Sequence, residues 1–214
     1  MEVMSKEICD KISEKIKLRE IFKHTNKSLE LIGQATAIAK KWKNTYLETK
    51  KKAKFEYNSQ NITGGAEYII KICEKLESAV KKVKEFLNFL GPELKRVIGG
   101  SSQKIDETKE AVIKAYSYIE NYPYNIFSRA NEESCNKILK NFEDSMSDLE
   151  EQTIVLIDET FKELRSAESA YDLYTNFENL WKLLCMKKPL ALIPPIAEKD
   201  WLIKYKPEKD PSVV

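Results

Sequence analysis

Apolar residues recur at alternating spacings of four and three along residues 69–90, and this is the most regular pattern in the chain. Such spacing places the side chains on one face of an α-helix, where they can pack against a neighbouring helix. Gly91 and Pro92 follow the last apolar residue and predict the end of this helix, with glycine in the left-handed conformation. The stripe consists of Ile69, Cys73, Leu76, Val80, Val83, Leu87 and Leu90.

Less regular stripes predict helices in much of the remaining chain. The first, 5–23, has isoleucines four residues apart, and the second runs from about 26 to 56 with Trp42 and Tyr46 on its apolar side. A further helix, which includes Ile105 to Ile119, precedes the predicted turn NYPYN. Between the second and third helices, the polar sequence YNSQNITGG (57–65) ends in two glycines and predicts a loop.

The segment 131–186 contains neither Gly nor Pro and keeps a helical spacing of apolar residues. Asn131 can cap its start, and Glu132 and Glu133 suit the positive end of the helix dipole. One unbroken helix over this segment would extend roughly 80 Å, at about 1.5 Å per residue. That length predicts an elongated bundle, a break in the helix, or a helix of a partner.

The predicted fold class is therefore all-α. We expect an elongated antiparallel helical bundle with one very long C-terminal helix and a Pro-rich tail. Gly and Pro are scarce, at 6 and 7 of 214 residues, and 33% of the residues are charged, which is typical of amphipathic helices. Because 187–214 holds five of the seven prolines, we predict a helical segment over 1–186 and a poorly ordered tail over 187–214.

Several apolar and small residues are predicted to form packing or interface surfaces on these helices. Ala167 and Ala170 would let another backbone approach closely, while Leu164 and Tyr171 fill space on either side. A ligand contact at 165–170 is the alternative. The candidates are Trp42, Tyr46, Leu76, Val80, Val83, Leu87, Leu156, Phe161, Leu164, Ala167, Ala170, Tyr171 and Phe177.

Charge is distributed unevenly along the chain. Residues 1–60 carry 14 Lys and Arg against 8 Asp and Glu, whereas residues 130–180 carry 4 against 13. The densest basic patch is KKWKNTYLETKKKAK (40–54). This patch indicates a solvated helix face, a partner for the acidic helix within the bundle, or a surface that binds nucleic acid or a membrane.

Residues suited to catalysis or metal binding are few. His24 is the only histidine, and the four cysteines are dispersed, so no zinc site or catalytic triad can be assembled from spacing. No glycine begins a phosphate-binding loop. We therefore predict no catalytic residue, no metal and no cofactor; an enzyme without a recognised motif would need a polar pocket around His24. No signal peptide or membrane-spanning run is apparent, which favours a soluble intracellular protein.

Five phrases in a fixed order resemble the N-terminal tail, or stem, of dynein heavy chains, and the axonemal branch in particular. The resemblance covers about 30–180, and FLGPEL and IDETFKELRSAESAYDL are its most specific parts. The loop FEYNSQNITGG departs from the family pattern, and the likeness ends near 186. The phrases are WKNTY (42–46), FLNFLGPELKRV (86–97), IDE (105–107), YPYNIF (122–127) and NFEDSMSDLEEQTIVLIDETFKELRSAESAYDLYTNF (141–177).

The resemblance implies a non-enzymatic part of a microtubule motor in the cytoskeleton of the cilium axoneme. Its implied partners are another dynein heavy chain and dynein intermediate and light chains, with an indirect microtubule association and no nucleic acid or membrane. ATP hydrolysis belongs to the motor domain of that family, whose phosphate-binding loop this sequence lacks. The chain would then be a fragment of a heavy chain, a truncated product or a tail-only relative.

Overall fold

The computed structural model describes residues 2–53, 60–92, 94–95 and 102–162. This part of the chain is largely helical and contains no β-strand, so the predicted all-α fold class is confirmed. Its five long helices are α1 (Glu2–Lys15), α2 (Thr25–Ala53), α3 (Gln60–Phe89), α4 (Ser102–Glu120) and α5 (Glu132–Lys162). The predicted continuation of the last helix and the Pro-rich tail, 163–214, lie outside the described residues.

The chain divides into two compact units. The first unit comprises Met1–Lys84 and Val112–Met146, and the second comprises Glu85–Ala111 and Ser147–Val214. Because the division falls inside α3, α4 and α5, each of these helices contributes residues to both units.

The core of the first unit is built on the apolar stripe of α3. Ile72, Cys73 and Leu76 have no exposed surface. The ring of Phe22 stacks on that of Tyr116, with 4.7 Å between the ring centroids. Burial of such side chains contributes roughly 1.5–3 kcal/mol each, so this stripe is a main source of stability.

A carboxyl group also lies in the first unit, at the end of α4. The Oε1 atom of this residue, Glu120, is buried and has no hydrogen-bond partner within the part of the chain that the structure describes. Burial raises the pKa of this carboxyl group, while the nearby Lys23 and a hydrogen bond from the Phe22 backbone lower it. The ionised form of Glu120 is therefore less well solvated in the fold than in the unfolded chain.

The second unit has its own buried residues. Leu90, Leu94 and Ile105 are fully buried. On its surface, Nζ of Lys95 lies 2.5 Å from Oδ1 of Asp106, and this hydrogen-bonded lysine lowers the pKa of the aspartate.

The prediction of one helix over 5–23 was wrong, because α1 ends at Lys15. Lys17 has extended backbone angles, and a 3-10 turn follows at Leu18–Glu20. Ile16 and Ile21 are both buried although they are five residues apart, a spacing that would place them on different faces of one helix. The break allows both side chains to enter the core.

The predicted loop at 57–65 was wrong from residue 60 onwards, because α3 already begins at Gln60. Gly64 and Gly65 are therefore helical, although each glycine costs about 1 kcal/mol relative to alanine in a helix. Thr63 and Ala66 are buried at this end of α3, at 6% and 3% exposure. Packing of this turn thus outweighs the unfavourable propensity of the glycines.

The end of α3 at Phe89 agrees with the Gly-Pro signal, but the reason differs from the expected one. Gly91 does not adopt a left-handed φ. A Cβ atom at this position would instead lie 2.7 Å from the backbone oxygen of Asn88, which accepts a hydrogen bond from the Gly91 amide. Glycine is needed here for the close approach of two backbone groups.

Candidate functional site

The predicted packing residues of α3 lie in the interior of the protein. Leu76, Val80 and Val83 have no exposed surface, and Leu87 is half-buried. These side chains therefore stabilise the fold of this chain. Their role in contacting another chain stays a prediction.

The predicted residues of α2 lie closer to the surface. Trp42 is half-buried, and its ring stacks on that of the buried Tyr46, with 6.1 Å between centroids and 13° between the planes. In α5, Leu156 is buried. The remaining candidates, the side chain of Phe161 together with Leu164, Ala167, Ala170, Tyr171 and Phe177, lie outside the described residues.

Two lysines of the basic patch form ion pairs with α3. Nζ of Lys43 lies 2.9 Å from Glu67, and Nζ of Lys40 lies 3.5 Å from Glu74. The partners of these two lysines are thus carboxylates of α3 rather than of the acidic α5. Exposed pairs of this kind contribute only about 0–1 kcal/mol each, but they reduce the positive charge that the patch presents to other molecules.

An open groove of about 720 Å³ in the first unit is lined by α2, α3 and the start of α5, and we call it the Arg129 groove. A volume of this size falls in the range of ligand sites, which is about 300–1,000 Å³. Its charged lining residues are Lys43, Glu67, Lys71, Arg129 and Glu132.

Arg129 lies against the helix α3 at a position that only glycine leaves open. Its Nη1 atom is 2.7 Å from the place that a Cβ atom of residue 64 would occupy, and its Cζ atom is 3.5 Å from that place. Gly64 therefore allows the guanidinium group to approach the first turns of α3. Residues 65 positions apart in the sequence meet here.

Tyr68 fixes the segment that carries Arg129. Its hydroxyl group is buried and donates a hydrogen bond of 3.0 Å to the backbone oxygen of Ile126. Burial and, to a lesser extent, the neighbouring Cys135 raise the pKa of Tyr68, so the hydroxyl group stays protonated and remains a donor. Asn131 ties the same segment together through a hydrogen bond from its Nδ2 to the backbone oxygen of Asn125.

His24 lines a small cavity together with residues of α1 and α2. The cavity beside this exposed histidine has about 120 Å³, which is small for a substrate.

Within the described parts of the chain, no three His, Cys, Asp or Glu side chains come together as metal ligands would. None of the described helices is long and apolar enough to cross a membrane.

Residues 1–191 match the family described as dynein heavy chain, N-terminal region 1. The chain belongs to the dynein heavy chain family. The resemblance seen in the sequence is thereby confirmed, and the matched region of dynein is a non-motor region. The Arg129 groove lies entirely within it.

Two curated dyneins are similar to this chain. The dynein-1-alpha heavy chain of the flagellar inner arm I1 complex from Chlamydomonas reinhardtii is 31% identical over 185 residues, which is 83% of this chain. Dynein axonemal heavy chain 10 from Homo sapiens is 27% identical over 136 residues, or 60% of the chain. The aligned segment spans about 4% and 3% of the length of these relatives.

Sequence reasoning missed the two residues that define the groove in this dynein segment. The polar sequence 57–65 predicts a loop at Gly64, and no local motif surrounds Arg129. The apolar spacing of Ile69 and Cys73 extends back to Ala66, and this signal could have moved the helix start into the glycine pair. No spacing within the sequence indicates the contact between Gly64 and Arg129.

Proposed function

We propose that this dynein segment is a non-catalytic assembly segment of an axonemal dynein tail. It joins the heavy chain to another heavy chain and to intermediate and light chains, and it associates with microtubules only through the complex. The observation that carries the proposal is the family match over residues 1–191. The names of the two relatives, a flagellar inner-arm chain and an axonemal chain, support a location in the cytoskeleton of the cilium axoneme.

Assembly by helix packing requires apolar surface that remains accessible after folding. Among the predicted interface residues, Trp42 keeps part of its surface exposed. Ile38 precedes it by one helical turn on α2 and is 51% exposed. A small apolar surface within a charged helix face is typical of the centre of a protein interface, and this pair is our candidate for the contact with a partner subunit.

The experiment is co-purification of the full 214-residue chain with a separately tagged dynein heavy-chain tail and a dynein intermediate chain. We expect a stable complex in gel filtration. The Ile38→Ser variant should weaken it about tenfold or more. Ile113→Ser is the matched control, because Ile113 is 48% exposed on α4 and its change removes similar apolar area. A strictly monomeric chain that co-elutes with neither subunit would contradict the proposal.

The alternative function, a basic-patch module for nucleic acid or a membrane surface, has less support. Lys40 and Lys43 pair with carboxylates of α3, and Tyr46 is buried, so the patch offers less charge and aromatic surface than its sequence indicates. Binding to a DNA duplex or to phosphatidylserine vesicles that falls steeply with salt would favour this alternative.

A further inference from the structure

Among the described residues that line the Arg129 groove, three are basic and two are acidic, and both acidic side chains form ion pairs. Nζ of Lys43 lies 2.9 Å from Glu67, and Nζ of Lys71 lies 3.1 Å from Glu132. Of the carboxylates in the described ranges, none forms an ion pair with Arg129. The described lining residues of the groove therefore carry one positive charge in excess, which is located on the guanidinium group of Arg129.

The fold positions the backbone that carries this guanidinium group. Gly64 leaves room for it against α3, and the hydrogen bond from Tyr68 to Ile126 holds the segment just before it. A guanidinium group presents parallel N–H donors that match the two oxygens of a carboxylate. Arg129 is thus placed to accept such a ligand in an open groove.

The charges and the other lining residues narrow the class of ligand. An excess of one positive charge is neutralised by a monoanion, whereas a phosphate dianion would leave a net negative charge in the groove beside Glu67 and Glu132. The groove is much larger than an isolated anion, and the half-buried Leu47 adds apolar surface to its lining. We propose that the Arg129 groove binds a single carboxylate of a partner protein, a Glu or Asp side chain beside an apolar residue.

This inference deepens the proposed function and rests on it for the identity of the partner, which would be a subunit of the dynein assembly. The recognition chemistry itself can be measured without that subunit. The two ideas can therefore fail separately.

The test uses nuclear magnetic resonance of the full 214-residue chain, with N-acetyl-glutamyl-leucinamide as the probe. We expect a saturable shift of the side-chain Nε–H signal of Arg129. The neutral analogue N-acetyl-glutaminyl-leucinamide should bind about tenfold more weakly or not at all, because it lacks the charge-assisted hydrogen bonds. Inorganic phosphate should compete less well than the glutamyl probe.

Four variants locate the interaction. Arg129→Gln should abolish the saturable binding, and Arg129→Lys should leave it intermediate, since lysine keeps the charge but not the paired donors. Gly64→Ala should weaken it by displacing the guanidinium group while it favours the helix. Arg19→Gln is the matched control, because Arg19 is also exposed and also lies in a 3-10 turn of the first unit.

Equal binding of the glutaminyl probe, or an equal loss in Arg19→Gln, would overturn the inference by showing a non-specific charge effect. Tighter binding of phosphate would overturn the assignment to a carboxylate. If the glutamyl probe binds as expected but the chain forms no complex with dynein subunits, the groove chemistry is supported and the proposed function is contradicted.

Discussion

Replacing Tyr68 with phenylalanine should destabilise the protein, although it removes only one oxygen atom. The hydroxyl group of Tyr68 is buried and donates to the backbone oxygen of Ile126, whose residue is 2% exposed. Phenylalanine keeps the ring in place, so no large cavity forms. The variant therefore removes the contacts of the hydroxyl group, which are the hydrogen bond to the segment that leads to Arg129 and a hydrogen bond with Cys135.

The expected loss in the free energy of unfolding has two contributions. An intramolecular hydrogen bond contributes about 0.5–1.5 kcal/mol net, and leaving a buried carbonyl group without a donor costs about 1–3 kcal/mol. Since Ile126 is buried, water can satisfy its carbonyl oxygen only if the segment moves. We expect Tyr68→Phe to lower the free energy of unfolding by about 1.5–3 kcal/mol.

The measurement is urea unfolding followed by far-UV circular dichroism, with the slope of the transition compared between variants. Tyr118→Phe is the matched control, because Tyr118 is 62% exposed and should change stability by less than about 0.5 kcal/mol. If Tyr68→Phe differs from this control by less than about 0.5 kcal/mol, the hydrogen bond does not hold the segment and the reasoning is refuted.

Three further changes have predictable effects on stability. Gly64→Ala should raise the free energy of unfolding by about 0.5–1 kcal/mol, because the exposed end of Arg129 can swing aside; a destabilised variant would show that it cannot. Burial raises the pKa of the Cys73 thiol from 9.0 to about 11, so the unfolded chain ionises first and the free energy of unfolding of the wild type should fall by about 2–3 kcal/mol as pH rises through that interval. The Cys73→Ala variant should not show this fall, and parallel pH profiles of stability for the two proteins would contradict the prediction. The raised pKa of Glu120 means that its ionisation destabilises the fold as pH rises above 4.5. The free energy of unfolding of Glu120→Gln, relative to that of the wild type, should therefore increase towards neutral pH. A difference in stability that does not change with pH would contradict this.

The fold could be predicted where local pattern and packing agree. The stripe from Ile69 to Leu90 combines regular spacing with large aliphatic side chains, and all of its residues except the half-buried Leu87 are buried. The turn at 121–125 contains Pro123 and was also assigned correctly. In both places the local preference of the chain and its tertiary environment require the same conformation.

Prediction failed where tertiary packing overrides local preference. Two glycines are poor helix formers, yet the burial of Thr63 and Ala66 keeps that turn helical. The residues 16–17 have no helix breaker, yet the helix ends there so that Ile21 can be buried. The groove could not be found from the sequence at all, because it depends on a contact between distant residues.

The two buried thiols, Cys73 and Cys135, have a practical consequence for experiments on this protein. Both belong to the first unit, and burial raises the pKa of each thiol. Neither is therefore a good nucleophile while this unit remains folded. With Cys9 and Cys185 replaced by serine, an alkylating reagent would modify the protein only when that unit opens. The alkylation rate would then measure how often the first unit opens, and a lower rate in the presence of a bound subunit would show that the subunit slows opening.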